Sequence, residues 1–133
     1  MKHLIFENFK PLNIDNDYII RACSVDFSFD GKIYNIKDLH DEFSRDLAKS
    51  DSLFREKRLR TAGIITFKGI DEHGIPSFEI SDKVDGYTLA LCCLKSSKEY
   101  GNKNVGDEII IEGNYLITNE NYGIVLKRCN LIK

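Results

Sequence analysis

The segment Val105-Gly106-Asp107-Glu108-Ile109-Ile110-Ile111-Glu112-Gly113 has the pattern of a turn that leads into a β-strand. Glycine and aspartate favour turns, and the three isoleucines after them favour an extended chain. Gly113 then ends the apolar run, and a glycine inside a strand marks a bend or a close approach of two backbones. Strand-like runs lie before this segment, at residues 60–68 and 86–94, and after it, at residues 123–132. The chain therefore predicts one small closed sheet.

The regions on both sides of this segment predict a sheet of five strands. Gly63 interrupts the first strand, as the sharp bend at a barrel corner requires. The third strand has no polar alternation and is expected to be buried on both faces. The apolar residues near the C-terminus lose strict alternation, which predicts a bulge near Lys127-Arg128. The five strands are expected at residues 59–68, 76–82, 87–94, 108–117 and 122–131.

An amphipathic helix is expected before the first strand. The segment Asp38-Leu39-His40-Asp41 places acidic residues where they stabilise the start of a helix. Apolar residues then recur at helical spacing, at Leu39, Phe43, Leu47 and Phe54. Because residues 50–52 favour caps over helix interiors, the pattern predicts either one long helix or a helix with an extra turn.

Residues 18–36 have the alternation of a β-hairpin with Asp30-Gly31 at its turn, a dipeptide that suits a type I′ turn. One face of this hairpin is apolar, so it is expected to pack on the helix or to form a partner contact, including a homodimer. The residues expected in that interface are Val25, Phe27, Phe29 and Tyr34. Residues 1–37 are thus interpreted as an N-terminal segment with a hairpin, and residues 38–133 as the helix and barrel, together one compact unit.

The composition predicts a single ordinary domain. The chain has 133 residues, of which 42% are hydrophobic and 30% charged, and its net charge of −2 gives no general attraction to nucleic acid or anionic membranes. No apolar run is long enough to span a bilayer, so no membrane partner is expected. The apolar run near the N-terminus is only three residues long, which is too short for a secretion signal. A cytoplasmic location is expected.

The candidate chemical groups predict neither a metal site nor a catalytic site. The four cysteines are expected to be buried, reduced thiols, since Cys92 and Cys93 would point to opposite faces of a strand. The three histidines have no spacing typical of metal ligands. The chain contains no Gly-x-Ser-x-Gly sequence, no P-loop and no Cys-x-x-Cys sequence. A non-enzymatic protein without cofactor or metal is therefore expected.

The order of these elements resembles the bacterial tRNA-anticodon-binding-like (tRNA_anti-like) family of OB-folds. The resemblance rests on residues 59–67, on the segment from Val105 to Gly113 and on the closing run of residues 124–131, and it covers residues 38–133. It implies a mainly β protein, with a five-stranded Greek-key barrel behind a leading helix. Many OB-folds have a helix between the third and fourth strands, whereas residues 95–104 are short and rich in glycine and asparagine.

The resemblance implies a binding role, because OB-folds bind ligands on the face of the second and third strands and on the loops joining strands one to two and four to five. Single-stranded nucleic acid requires aromatic rings beside cations. Each ring has core packing as its alternative role, and the basic residues 55–60 are equally consistent with a solvated surface. The candidate ligand-binding residues are Phe67, Lys68, Phe78, Tyr87, Tyr115, Tyr122, Lys127 and Arg128.

A second hypothesis is a protein-interaction module. It would act as a regulator, an immunity-type inhibitor or a phage or mobile-element protein that binds another protein. The net negative charge, the absence of a broad basic stripe and the apolar hairpin face favour it. The high isoleucine and asparagine content suggests a bacterial or phage source and does not distinguish the two hypotheses.

Overall fold

A computed structural model describes residues 14–132 of the chain. The expectations for the first 13 residues lie outside this range. The described elements comprise three α-helices, six strands and one 3₁₀ helix. In chain order they are α1 (Asn16–Ser24), β1 (Ser28–Asn35), α2 (Ile36–Arg45), α3 (Leu47–Phe54), β2 (Lys57–Ile70), β3 (Pro76–Ser81), β4 (Ala90–Leu94), the 3₁₀ helix (Ser97–Asn102), β5 (Glu108–Asn119) and β6 (Gly123–Leu131).

Strands β2 to β6 close into a five-stranded barrel, which confirms the predicted OB-like fold. The sheet order is β2-β3-β4-β6-β5, and pairing of β5 with β2 completes the ring. The long strand β2 makes this possible because its first half pairs with β5 and its second half with β3. Gly63 lies beside this change of partner, where an added Cβ would stand 3.1 Å from the carbonyl oxygen of Ser81.

Helices α2 and α3 add large apolar side chains to a core that is otherwise built by the strands. Phe43 stacks on Phe54 with 5.5 Å between ring centroids and lies 5.3 Å from the ring of Tyr115. The predicted interruption of the helix occurs at Asp46, a few residues earlier than expected. Its side chain accepts a hydrogen bond from the Lys49 amide at 3.1 Å, so it caps the start of α3.

The predicted hairpin over residues 18–36 is wrong, because its first half is the helix α1. The Asp15 carboxylate accepts a hydrogen bond from the Tyr18 amide at 2.8 Å and starts the helix. Tyr18 and Ala22 are four residues apart, and both are buried on the face that meets the barrel. The Tyr18 hydroxyl donates to the Tyr115 carbonyl at 2.6 Å, so a tertiary contact stabilises a helix in a segment whose short apolar run also suits a strand.

Asp30-Gly31 forms a bulge within β1 and not a turn between two strands. Gly31 has φ +88°, which glycine adopts without steric cost. The Asp30 carboxylate accepts hydrogen bonds from the Lys32 amide and the Tyr34 hydroxyl. The pairing with β2 shifts register between Phe29 and Ile33, and the two strands are parallel. The type I′ turn expected here is wrong, because only Gly31 and not Asp30 has a positive φ, and the strand pairs with a distant segment.

The structure agrees in part with the loop and the bulge predicted from the sequence. The predicted loop at residues 95–104 contains the 3₁₀ helix, whose Tyr100 ring stacks on Phe78 with 6.0 Å between centroids. The predicted bulge near Lys127-Arg128 is confirmed, since Arg128 has φ +51° and the β5–β6 register shifts there. Among residues 14–132 no helix is long and apolar enough to cross a membrane.

Candidate nucleic-acid interface

The strand registers place two rows of side chains on the outside of β2, β3, β4 and β6, a surface called the outer face below. Phe78 and Ile80 of β3 point inward and are fully buried, so Ser77 and Glu79 point outward. The first row consists of Phe67, Glu79, Leu91 and Val125. The second consists of Gly69, Ser77, Cys93 and Lys127.

Phe67 presents an aromatic ring on the outer face. Its side chain is 46% exposed, although Ile65, two residues earlier, is buried. In a regular strand these two residues would share one face. The β2–β3 register shifts between them, because Ile65 pairs with Ile80 and Phe67 pairs with the neighbouring Glu79. This bulge at Thr66 turns the Phe67 ring away from the core.

A concavity of about 240 Å³ borders the Phe67 ring. Its walls include Val84 and Thr88 from the β3–β4 connection and Val105 from the segment before β5. Tyr87, which precedes Thr88, is 48% exposed. Phe67 therefore offers an exposed ring beside this concavity, where a flat base can stack.

Glu79 is a buried carboxylate on this surface that the sequence analysis did not select. It is 3% exposed, and its Oε1 accepts a hydrogen bond from the Thr88 hydroxyl at 2.7 Å. The alternation of β3 shows that Glu79 points outward. The sequence around Glu79 does not predict this burial, because the burial depends on the cross-strand neighbours Phe67 and Leu91.

Lys127 is the predicted cation that reaches the outer face. Its Nζ lies 3.5 Å from the Cys93 sulfur, and the pair connects β6 with β4. Burial raises the pKa of the Cys93 thiol, although the nearby Lys127 charge acts in the opposite direction. The thiol therefore stays neutral near pH 7 and does not cancel the charge of Lys127.

Lys68 and Arg128 have structural partners elsewhere. The Lys68 ammonium donates to the Lys103 carbonyl at 2.7 Å and lies 4.4 Å from the centre of the Tyr100 ring. Arg128 donates to Asp26 at 3.0 Å, on the side where the α1–β1 connection covers the barrel. Neither cation joins the surface around Phe67.

Phe78 and Tyr115 are core residues, so the structure does not support their selection as ligand-binding residues. Both are fully buried. The Tyr115 hydroxyl donates to Asp51 at 2.7 Å and lies 3.0 Å from the Thr118 hydroxyl. Burial raises the pKa of Tyr115, which keeps its proton for these hydrogen bonds.

Tyr122 lies in the β5–β6 turn and is half-buried, with its amide bonded to Asn119 at 2.8 Å. Strand β6 runs parallel to β4, and Ala90 pairs with Ile124. Tyr122 and Tyr87 therefore both lie near the end of the barrel where these two strands begin. The structure brings Phe67 and Lys127 to one side of the barrel and places Tyr87 and Tyr122 near one of its ends.

The residues expected in a partner interface do not share one apolar face. Phe27 lies 5.7 Å from the Tyr18 ring, and Tyr34 meets Phe54 edge-on at 5.7 Å. Val25 and Phe29 are exposed, and Arg60 covers the Phe29 ring at 4.2 Å. The hairpin face through which a homodimer was expected is therefore not present in residues 18–36.

The three arginines of residues 55–60 are bound to acidic partners. Arg55 contacts Asp51 at 2.6 Å. Arg58 and Arg60 each contact Glu112, at 2.6 and 2.7 Å. This cluster holds elements together and leaves little free charge for phosphate groups.

Comparison with protein families gives a match to the tRNA_anti-like profile over residues 15–131. The chain belongs to the tRNA_anti-like family. Among solved structures, this tRNA_anti-like protein is similar to a Klebsiella pneumoniae subsp. pneumoniae MGH 78578 protein described as a "putative nucleic acid-binding lipoprotein". The two share 15% sequence identity with a TM-score of 0.60, and the match covers 91% of this chain and 100% of the other. At this identity the likeness supports the fold. No curated protein sequence matches the chain significantly.

Proposed function

We propose that this protein binds single-stranded nucleic acid on the outer face, without catalysing a reaction. The observation that carries the proposal is the exposed Phe67 ring, which a bulge turns outward beside a base-sized concavity and on the same face as Lys127. Aromatic rings stack on bases of any sequence, while a cation binds the phosphate backbone. Membership of the tRNA_anti-like family and the name of the Klebsiella pneumoniae protein support this choice.

The role proposed for each side chain follows from its place on or near the outer face. Phe67 and Tyr87 stack on neighbouring bases, Lys127 pairs with a phosphate, and Tyr122 contacts the strand where it leaves the face. Thr88 holds the Glu79 carboxylate in place beneath the bases. With few cations on this face, we expect weak binding with a shallow salt dependence.

Fluorescence anisotropy with fluorescein-labelled dT12 and U12 in about 50 mM salt tests this proposal, since phosphate contacts are strong at low salt. Losing one stacking ring should weaken binding by about 1–3 kcal/mol, or roughly 5- to 150-fold, in Phe67→Ala. Phe29→Ala is the matched control, because Phe29 is also exposed but lies on β1. Lys127→Ala should reduce the salt dependence, whereas Lys49→Ala on α3 should not.

A protein partner at the same face is the alternative. Exposed aliphatic side chains surround the Phe67 ring, with Val84 59% and Val105 58% exposed, and such patches also mark protein interfaces. Absence of any salt-dependent binding to either oligonucleotide in 50 mM salt would reject the nucleic-acid proposal and favour this one.

A further inference from the structure

A second concave surface lies on the outside of β2 and β5, called the β2–β5 groove below. Its volume is about 570 Å³, within the range of ligand-binding clefts. The floor consists of Ala62, Ile64 and Ile110, which are all partly exposed. Ala62 pairs with Ile110 across the two strands, so these side chains share the outward direction. The floor is therefore apolar and accessible.

The apolar surface continues beyond the groove on both sides. Ile33 of β1 is 56% exposed and lies two residues before Asn35, which pairs with Ala62. On the other side, the Ile132 amide donates to the Ile110 carbonyl at 2.8 Å, and its side chain is 40% exposed. Aliphatic residues that are exposed or partly exposed on three adjacent strands, together with Ile132 just after β6, form a wider patch than scattered surface residues, as interaction sites do.

The rim of the β2–β5 groove is acidic. Asp82 and Glu108 line it, and Lys103 is the lysine of its lining. Lys37 also lies near Asp82, but it is already paired with Asp41 at 2.6 Å. Within residues 14–132, neither carboxylate forms an ion pair. Two carboxylates beside one ammonium repel phosphate groups and attract a cation. The ligand class that fits this groove differs from the one proposed for the outer face.

We propose that the β2–β5 groove binds a partner protein through a short basic and aliphatic segment. Aliphatic side chains of that segment occupy the floor over Ala62, Ile64 and Ile110. Its lysine or arginine side chains pair with Asp82 and Glu108. The proposal does not depend on the nucleic-acid proposal, because the two surfaces share no residue.

Charge complementarity favours such a segment over a second copy of this chain. A symmetric dimer brings the same patch of both subunits together. Such a dimer at this groove would gather two sets of Asp82 and Glu108 around two copies of Lys103, and like charges across an interface are unfavourable. A basic segment neutralises the same carboxylates.

The test uses the full chain and a fluorescein-labelled octapeptide that alternates lysine with leucine and valine. Saturable binding is expected in anisotropy titrations, and the same peptide with glutamate in place of lysine should not bind. Asp82→Asn with Glu108→Gln should weaken binding by about three- to thirtyfold, the range for two partly exposed ion pairs. Ile110→Thr should also weaken it by removing apolar floor area.

The matched control is Asp17→Asn with Glu72→Gln, which removes the same charge at two exposed positions away from the groove. It should bind like wild type, as should Phe67→Ala, and thermal melts should show all variants folded. Three results of the binding titrations would overturn the proposal. They are no saturable binding, equal binding of the acidic peptide, and equal affinity of the Asp82→Asn/Glu108→Gln variant. A wild-type dimer in sedimentation equilibrium that Ile110→Thr dissociates would also overturn it, since the groove would then join two copies.

Discussion

Gly113 of β5 lies so close to Cys129 of β6 that a Cβ at position 113 would overlap the Cys129 sulfur. The bulge at Arg128, with φ +51°, turns the Cys129 side chain into the core, where it is fully buried. Leu126 Cβ and the Lys127 carbonyl lie 3.1 Å from the same point. Gly113 is therefore required by packing between these two strands.

Gly113→Ala should destabilise the protein by about 1–3 kcal/mol, the usual cost of overpacking. Urea denaturation measures this change. Gly101→Ala is the control, because an added Cβ there meets no atom within 4 Å, and it should stay within about 0.5 kcal/mol of wild type. In the Gly113→Ala/Cys129→Ala double variant the two losses should be less than additive. Additive losses would show that the sulfur is not the obstacle.

Phe67 and Phe78 should respond oppositely to truncation, because one ring is exposed and the other lies in the core. Phe78→Ala should cost about 3–5 kcal/mol of unfolding free energy. Phe67→Ala should change it by about 0.5 kcal/mol or less while reducing oligonucleotide binding. Thermal melts and anisotropy on the same samples separate these effects. A large stability loss for Phe67→Ala would remove it as evidence for a binding ring.

Arg58 connects three elements from a buried position and is only 3% exposed. It donates to Glu112 at 2.6 Å, to Asn114 at 3.1 Å and to Asn130 at 2.5 Å. Arg58→Met is similar in size but removes the buried donor, which leaves Glu112 with Arg60 and Asn114 with the Phe27 amide, so it should cost about 3–5 kcal/mol in urea denaturation.

Arg45→Met is the control for this change. Arg45 pairs with Glu42 on the surface, where its side chain is 70% exposed. Such exposed pairs contribute little, about 0–1 kcal/mol. Similar losses for the two variants would contradict the structural role of Arg58.

Asp26 should make stability depend on pH in the acidic range. The Lys95 hydrogen bond, assisted by Arg128 and opposed by desolvation, lowers the pKa of Asp26 from 3.8 to about 2. The folded state therefore binds this proton more weakly than the unfolded state. The stabilisation is present above the unfolded pKa of 3.8 and is lost as the pH falls toward about 2.

Asp26→Asn should be less stable than wild type near pH 7, and the difference should shrink as the pH falls from about 4 to about 2. Urea denaturation across this pH range measures the change. Lys95→Met should reduce the same pH dependence, because it removes the hydrogen bond that Lys95 donates to Asp26. Parallel curves for wild type and Asp26→Asn would contradict this account.

Prediction from the sequence succeeded where the signal is local. The segment from Val105 to Gly113 predicted β5 and its entry turn, and the loss of alternation near Lys127 predicted the β6 bulge. The strand predicted at residues 18–24 is wrong, because a short apolar run fits a strand and a helix alike. The contact of Tyr18 with Tyr115, which selects the helix, joins residues 97 positions apart.

The candidate site was likewise predictable from the sequence only in its local features. The sequence by itself determined the five barrel strands, the glycine that bends the first of them, and the rings and cations along them, because these properties depend on neighbouring residues. Only the tertiary structure decided which rings face solvent. A bulge at Thr66 turns Phe67 outward, while Phe78 and Tyr115 stay in the core. The β2–β5 groove likewise exists only because barrel closure brings Ala62 beside Ile110. Side-chain direction depends on the register between strands, and that register is set by pairing between distant segments.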